Sequence, residues 1–126
     1  MTAPGDYILV VDDMNFMQLL LGNILKHLGH SVRTAPDGHT ALHIIEQHAP
    51  KAIFLDLNLP GDHGTEVCRA IRHIPGMAKV PIIICTAQTT REMVEQSIAA
   101  GATDFLCKPI TPAIVSERLK KHLPQP

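Results

Sequence analysis

Five short apolar runs recur along the chain, separated by stretches in which apolar residues follow helical spacing. The runs cover residues 7–11, 31–35, 52–55, 81–85 and 103–107. Three of them are apolar almost throughout, which is typical of parallel strands covered on both faces. The amphipathic stretches between them lie near residues 14–28, 38–48, 64–73, 90–100 and 112–122. This alternation predicts an α/β protein in which βα units wind a doubly wound parallel sheet, with helices on both sides.

Glycine and proline fall at the boundaries of these segments. Gly29 follows the first helix and Gly101 the fourth, as a residue just past a helix end often is, and Pro81 opens the fourth run. The 126 residues fit one domain, and a hydrophobic fraction of 45% is enough for a core. We therefore predict a single domain over residues 1–126, with a core at about 6–122 and short unstructured ends.

Composition and charge argue against several classes of protein. The chain has 11 basic and 12 acidic residues and a formal charge of −1, which argues against nucleic-acid binding through a broad basic face. No apolar run is long enough to cross a bilayer, and the N-terminus lacks the basic region of a signal peptide. We expect a cytoplasmic protein with no membrane partner. Of the three cysteines, Cys85 and Cys107 lie in apolar runs and are expected to be buried thiols.

Polar residues stand at the carboxyl ends of four predicted strands, where an open parallel sheet gathers its ligand chemistry. Asp12 and Asp13 close the first strand, Asp56 closes the third, and Thr86 and Lys108 follow the fourth and fifth. Three neighbouring carboxylates repel one another unless a hard divalent cation binds them, and Mg²⁺ fits because it prefers oxygen ligands. A carboxylate beside a metal, an ammonium and a hydroxyl can accept a phosphoryl group.

The segments around these residues resemble a known family. They read VVDD at 10–13, FLDLNLPGDHG at 54–64, ICTA at 84–87 and GATDFLCKP at 101–109. Their order and spacing are similar to those of response-regulator receiver domains of two-component signalling, and especially of stand-alone, chemotaxis-type receivers. The resemblance covers essentially the whole chain. It implies a (βα)5 flavodoxin-like fold with strand order 2-1-3-4-5.

The resemblance also assigns roles, position by position. It implies that Asp56 is the phosphoacceptor, and that Asp12, Asp13, Asp56 and the backbone carbonyl of Asn58 hold Mg²⁺. Asn58 and Gln88 would flank the path of the attacking water and so set the lifetime of the phosphoryl group.

A second set of residues would read the phosphoryl group. The resemblance implies that Thr86 is the switch hydroxyl, with Ala87 beside it, and that Lys108 pairs with the phosphoryl group before a cis bond to Pro109. Phe105 matches the switch aromatic that turns inward on activation. It is a phenylalanine where the family often has tyrosine, so no phenol is available for a hydrogen bond.

The first helix has two distinct faces. We expect one face to pack on the sheet, and it comprises Met17, Leu20, Leu21, Ile24 and Leu28. The other face carries Asn15, Gln18, Leu19 and Gly22, and the resemblance implies that a histidine kinase or histidine phosphotransfer domain docks there. Leu19 would be an apolar contact, and Gly22 would permit close helix approach.

The resemblance further implies that an unknown downstream protein binds the surface formed by the fourth helix, fifth strand and fifth helix. The basic end of that surface, Arg118 with Lys120, Lys121 and His122, suits an acidic partner, and the charge run is also typical of a solvated helix face. We expect a monomer or a weak homodimer.

Three other readings compete with a phosphorylation-controlled binding module. A phosphatase with an aspartyl-phosphate intermediate needs a carboxylate two residues after its nucleophile, where this chain has Asn58. A receiver used only for constitutive interaction usually loses an acid, the threonine or the lysine, and this chain keeps them all. A flavodoxin-type flavin protein would find the Asp12–Asp13 pair repelling its phosphate. His39 and His43 have the spacing of metal ligands on a helix, with no third ligand in view.

Overall fold

The strands of the main sheet alternate with helices along the described residues, as the hydrophobic pattern predicts. The structure, a computed structural model, describes residues 6–59, 61–87 and 90–123. The five strands of the main sheet are β1 (Tyr7–Val11), β2 (Ser31–Ala35), β3 (Ala52–Asp56), β4 (Ile82–Thr86) and β5 (Asp104–Cys107). The five helices are α1 (Asn15–His27), α2 (Gly38–Gln47), α3 (Gly64–His73), α4 (Arg91–Ala99) and α5 (Pro112–His122).

The main sheet is parallel, and its strand order β2-β1-β3-β4-β5 confirms the predicted topology. Val11 at the end of β1 is opposite both Ala35 of β2 and Leu55 of β3. Asp56, the last residue of β3, is opposite Cys85, the residue before the end of β4. Because all strands run the same way in this register, their carboxyl ends meet along one edge of the sheet.

Each face of the sheet carries its own apolar core. On one face, Ile8, Phe54 and Ile83 pack with residues of α1 and α5, such as Leu25 and Val115. On the other face, alternate strand residues pack with α2, α3 and the end of α4. The strands β1, β3 and β4 are buried along their whole length, which explains their nearly continuous apolar sequences. No helix in the described part of the chain is long and apolar enough to cross a membrane.

The sheet-facing side of α1 differs from the prediction at its C-terminal end. Leu21, Ile24 and Leu25 are buried, whereas Leu28 is 38% exposed. The helix ends at His27, and the chain turns away through Gly29, whose φ is 94°. The helical spacing that placed Leu28 over the sheet therefore no longer applies at that residue.

Two of the three cysteines are buried. Cys68 and Cys85 lie in the cores, but Cys107 is exposed, and the expectation of a buried Cys107 is wrong. The reason is position: β5 is an edge strand, and Cys107 is its last residue. All three thiols are free.

A short antiparallel hairpin, Asn58–Leu59 with Asp62–His63, connects β3 to α3. It returns the chain so closely that Gly64 touches the end of β3. A Cβ atom added to Gly64 would lie 2.7 Å from the Asp56 carbonyl oxygen and 2.7 Å from the Leu57 Cα. The Gly64 N–H donates to the Leu57 carbonyl at 2.8 Å. Glycine is thus required here by a backbone contact beside Asp56.

We predict that Gly64→Ala destabilises the fold by about 1–3 kcal/mol, because the methyl group must displace backbone and not a flexible side chain. The measurement is urea unfolding. Gly22→Ala is the matched control: its Cβ would lie 3.9 Å from Val32 Cγ1, an ordinary contact. In the interior of α1 that change should stabilise by about 0.5–1 kcal/mol. Equal stability of Gly64→Ala and the wild type would contradict the close approach.

Candidate functional site

Three carboxylates converge at the carboxyl edge of the sheet. Asp12 and Asp13 directly follow β1, and Asp56 is the last residue of β3. One carboxylate oxygen from each residue lies within 4.8 Å of the others. Asp12 and Asp56 are only 5% and 6% exposed, whereas Asp13 is exposed. The acidic cluster (Asp12, Asp13 and Asp56) is therefore assembled by the pairing of neighbouring parallel strands.

Lys108 places its ammonium group against this cluster. Its Nζ lies 3.5 Å from Asp56 Oδ1 and 3.7 Å from Asp12 Oδ2. The Lys108 N–H donates to the Thr86 carbonyl at 2.8 Å, which holds the end of β5 against the end of β4. The bond from Lys108 to Pro109 is cis. One ammonium thus faces two buried carboxylates.

The electrostatics of Asp56 are unfavourable for a buried anion. Burial raises the pKa of Asp56 above its ordinary value, the Lys108 ammonium acts to lower it, and the Asp12 carboxylate raises it further. The Asn58 N–H donates to Asp56 Oδ1 at 3.3 Å and adds a smaller lowering effect on that pKa. The balance favours any cation that enters the cluster, because a cation stabilises the ionised carboxylate.

The donor set of the acidic cluster suits a hard metal ion. Among the described residues, it is the one group of three or more His, Cys, Asp or Glu side chains close enough to share an ion. All of its donors are carboxylate oxygens, the ligands that Mg²⁺ and Ca²⁺ prefer. His39 and His43, whose spacing raised the question of a metal site, are exposed on α2 and do not belong to the group. The cluster can therefore hold a divalent cation.

Backbone contacts fix Asp12 within the loop between β1 and α1. Its N–H donates to the Ala35 carbonyl at 3.0 Å, and its Oδ1 accepts from the Met14 N–H at 2.9 Å. Its carbonyl accepts from the Gln18 side-chain amide at 2.7 Å. The sequence placed Gln18 on the docking face and missed this contact. The available signal was spacing, since Gln18 lies one helical turn after Met14 and side chains lean towards the helix N-terminus.

The residues predicted to sense the phosphoryl group differ in burial. Thr86, at the end of β4, is 3% exposed, and Ala87 after it is exposed. Phe105 is half-buried against the core, and its carbonyl accepts from Arg118 Nε at 3.1 Å. Asn58 is exposed beside Asp56. Gln88 lies outside the described residues.

The docking residues predicted on α1 border a cavity of about 420 Å³ between that helix and β2. Leu19 is 65% exposed and Asn15 is exposed, but Gly22 is buried over Val32 and faces the strand. The sequence identified Leu19 as an exposed apolar residue and missed Phe16, which is 67% exposed in the same turn region of α1. The start of α1 therefore presents more apolar surface than the sequence indicated.

The basic end of α5 is largely engaged within the chain. His122 Nε2 lies 2.7 Å from Asp104 Oδ2, with Lys121 Nζ at 3.6 Å and Arg118 Nε at 3.7 Å. Burial acts to raise the pKa of Asp104, but the hydrogen bond from His122 and the nearby cations outweigh it and leave that pKa lowered. Lys120 is exposed, and Lys121 remains 64% exposed despite its contact with Asp104. Much of the charge that the sequence offered to an acidic partner thus ties α5 to β5.

Comparison with known proteins agrees with this architecture. The family model for the response regulator receiver domain matches residues 8–120. The chain is 32% identical over 115 residues to chemotaxis protein CheY-3 of Vibrio cholerae, covering 90% of the chain and 88% of the relative. It is 35% identical over 118 residues to chemotaxis protein CheY of Thermotoga maritima, covering 93% and 97%.

Solved structures give the same result. The chemotaxis protein CheY4 of Vibrio cholerae superposes with a TM-score of 0.91 at 30% identity, covering 96% of this chain and all of that one. The receiver domain of the sensor histidine kinase PA1611 from Pseudomonas aeruginosa, solved with a magnesium ion coordinated in its active-site cleft, superposes with a TM-score of 0.86 at 32% identity. It covers 94% of this chain and 97% of that one. On the strength of its fold, its acidic cluster and these matches, the chain belongs to the response-regulator receiver domains of two-component systems.

Proposed function

We propose that this receiver is a phosphorylation-controlled signalling module that accepts a phosphoryl group on Asp56 in the presence of Mg²⁺. The observation that carries the proposal is the setting of Asp56: a buried carboxylate within 4.8 Å of two others and 3.5 Å from Lys108 Nζ. A structural carboxylate at a strand end would gain little from two acidic neighbours, whereas a phosphoryl acceptor needs them to hold a metal. The magnesium-bound receiver of PA1611 supports the choice of metal.

The reaction transfers a phosphoryl group from a nitrogen of the donor to the Asp56 carboxylate. A carboxylate oxygen of Asp56 attacks the phosphorus of the donor, the bond from phosphorus to the donor's nitrogen breaks, and an acyl phosphate forms. Asp12, Asp13, Asp56 and the Asn58 carbonyl would hold the Mg²⁺, which supplies charge neutralisation for the phosphoryl oxygens when bound. Lys108 neutralises a further oxygen, and the Thr86 hydroxyl and the Ala87 N–H donate to the group. The protein contributes positioning and electrostatics.

The phosphoryl group then alters the binding surface. Thr86 moves towards it, and Phe105, on the strand next to β4, turns inward in response. Arg118 of α5 donates to the Phe105 carbonyl and lies beside the Asp104 carboxylate. The movement of Phe105 therefore reaches the surface formed by α4, β5 and α5. A downstream protein binds that surface. Asn58 and Gln88 set how long the phosphoryl group survives hydrolysis.

The donor is a histidine kinase or a histidine phosphotransfer domain that docks on α1. Asn15, Gln18 and Leu19 border the cavity between α1 and β2, and α1 begins just after Asp12 and Asp13, which supports this choice of docking surface. The family model occupies residues 8–120, which is nearly the whole of the 126 residues. We propose one receiver domain over residues 1–126 that acts as a monomer or weak homodimer.

Phosphorylation is tested directly with acetyl phosphate and Mg²⁺, followed by intact mass spectrometry. We expect the wild type to gain one phosphoryl group and Asp56→Asn to gain none, since the amide is not a nucleophile towards phosphorus. Removing Mg²⁺ with a chelator should suppress the adduct in the wild type. A wild type that gains no Mg²⁺-dependent adduct would instead indicate a receiver used only for constitutive interaction.

Docking is tested by Leu19→Lys. We expect phosphotransfer from the cognate phosphohistidine protein to slow about tenfold, because the lysine must bury a charge in an apolar contact. The rate with acetyl phosphate should not change. Leu28→Lys is the matched control, since Leu28 is also partly exposed but lies beyond the end of α1. Equal rates from the protein donor for wild type and Leu19→Lys would exclude this docking face.

A further inference from the structure

We propose that Gln18 is a positioning residue for the acidic cluster, and that it acts by holding the peptide group between Asp12 and Asp13. This inference rests on the proposed function, in which the cluster binds Mg²⁺. The sequence assigns Gln18 to partner docking, whereas this inference gives it a role inside the protein. The observation behind it is the 2.7 Å hydrogen bond from Gln18 Nε2 to the Asp12 carbonyl.

All four polar atoms of Asp12 have defined surroundings. Its N–H donates to the Ala35 carbonyl at 3.0 Å, and its Oδ1 accepts from the Met14 N–H at 2.9 Å. Its Oδ2 lies 3.7 Å from Lys108 Nζ. The carbonyl completes the set through Gln18. Three contacts therefore fix the residue, and Oδ2 is directed into the cluster.

The effect of Gln18 reaches Asp13 through the peptide plane. The Asp12 carbonyl and the Asp13 nitrogen belong to one rigid planar group, so holding the carbonyl oxygen sets the direction in which Asp13 leaves the strand. Asp13 is exposed and has little packing of its own to fix it. Without the Gln18 contact, the orientation of this plane would depend on the two flanking backbone torsions alone. Gln18 thus fixes the exposed member of a cluster whose oxygens must stay within a few ångströms.

The local structure at the start of α1 allows the Gln18 side chain to hold the Asp12 carbonyl. The N-cap of α1 is Met14, which provides no side-chain cap for the helix. The Gln18 N–H donates to the Met14 carbonyl at 3.0 Å, so the helix is already regular where the side chain starts. Its amide leans back over the first turn, the direction that helical side chains favour. The Gln18 side chain of α1 therefore fixes the preceding loop, which carries Asp12 and Asp13.

A neutral amide is chemically suited to this position. The acceptor is a carbonyl oxygen, so the group that contacts it must be the amide nitrogen. A lysine or arginine could also donate, but it would add a positive charge close to a cation site and oppose metal binding. Glutamine donates without changing the charge of the cluster.

The test is Mg²⁺ affinity, measured by isothermal titration calorimetry on the full chain, for wild type and Gln18→Met. Methionine has nearly the shape of glutamine and cannot donate. We expect the Kd for Mg²⁺ to rise roughly 3- to 10-fold, the loss that one hydrogen bond of ordinary strength implies. Asn23→Leu is the matched control, because it likewise replaces an amide with an apolar side chain of similar size, at an exposed site of the same helix, and its Kd should equal that of the wild type.

Two further measurements separate positioning from docking and from general damage. The rate with acetyl phosphate should fall for Gln18→Met at low Mg²⁺ and recover at saturating Mg²⁺, which a docking residue would not show. The backbone amide resonance of Asp13 should shift in Gln18→Met and not in Asn23→Leu. Gln18→Ala provides a second variant for the same measurements.

The outcomes are distinct. If the wild type binds Mg²⁺ and Gln18→Met binds it equally well, the positioning role is wrong while the proposed function stands. If Asn23→Leu weakens binding as much as Gln18→Met does, the effect belongs to the helix surface in general, and the inference is again overturned. If the wild type itself binds no Mg²⁺, the proposed function fails first.

Discussion

Three carboxylates held together at one edge of a parallel sheet are the constraint on which the rest of this receiver depends. Asp12 and Asp56 are buried, and at a separation below 4.8 Å their repulsion is on the order of 3 kcal/mol at an effective dielectric constant of about 20. The Lys108 ammonium faces both of these carboxylates. The cluster keeps an excess of negative charge, so it can hold a divalent cation, and the proposed function depends on that cation.

The fold must hold these carboxylates close together against their mutual repulsion. The parallel register brings the ends of β1, β3 and β4 to the same edge, and the backbone bond from Lys108 to the Thr86 carbonyl holds β5 beside them. Gly64 lets the hairpin after β3 return against the Asp56 carbonyl. Each of these contacts is made by backbone, which no change of rotamer can release. The side-chain contact from Gln18 adds to the same frame.

In the described part of the chain, a series of contacts along β5 extends from the acidic cluster to α5. Lys108 contacts the acidic cluster, Phe105 lies three residues earlier, and Asp104 precedes it. Arg118 binds the Phe105 carbonyl and lies near Asp104, where His122 also binds. Under the proposed function, a displacement at Asp56 would have a physical route to α5 through these contacts. Arg118 and His122 near the end of α5 take part in these internal contacts, whereas Lys120 is exposed and Lys121 is 64% exposed.

The sequence by itself determined the alternation of strands and helices, because parallel strands buried on both faces must be apolar throughout and their covering helices must be amphipathic. It also determined the set of polar residues at strand ends, since the order of the strands brings those ends together. It could not decide which side chains turn inward from α1. Leu28 was placed on the core and is exposed because the helix ends before it, and Gly22 was placed on the open face and is buried over Val32. Cys107 and Gln18 depended equally on the tertiary structure: one on its place at a sheet edge, the other on the 2.7 Å approach of an amide to a loop carbonyl. Hydrophobic periodicity records which residues avoid water, but it holds no information on where a helix ends or on which polar groups meet across a turn.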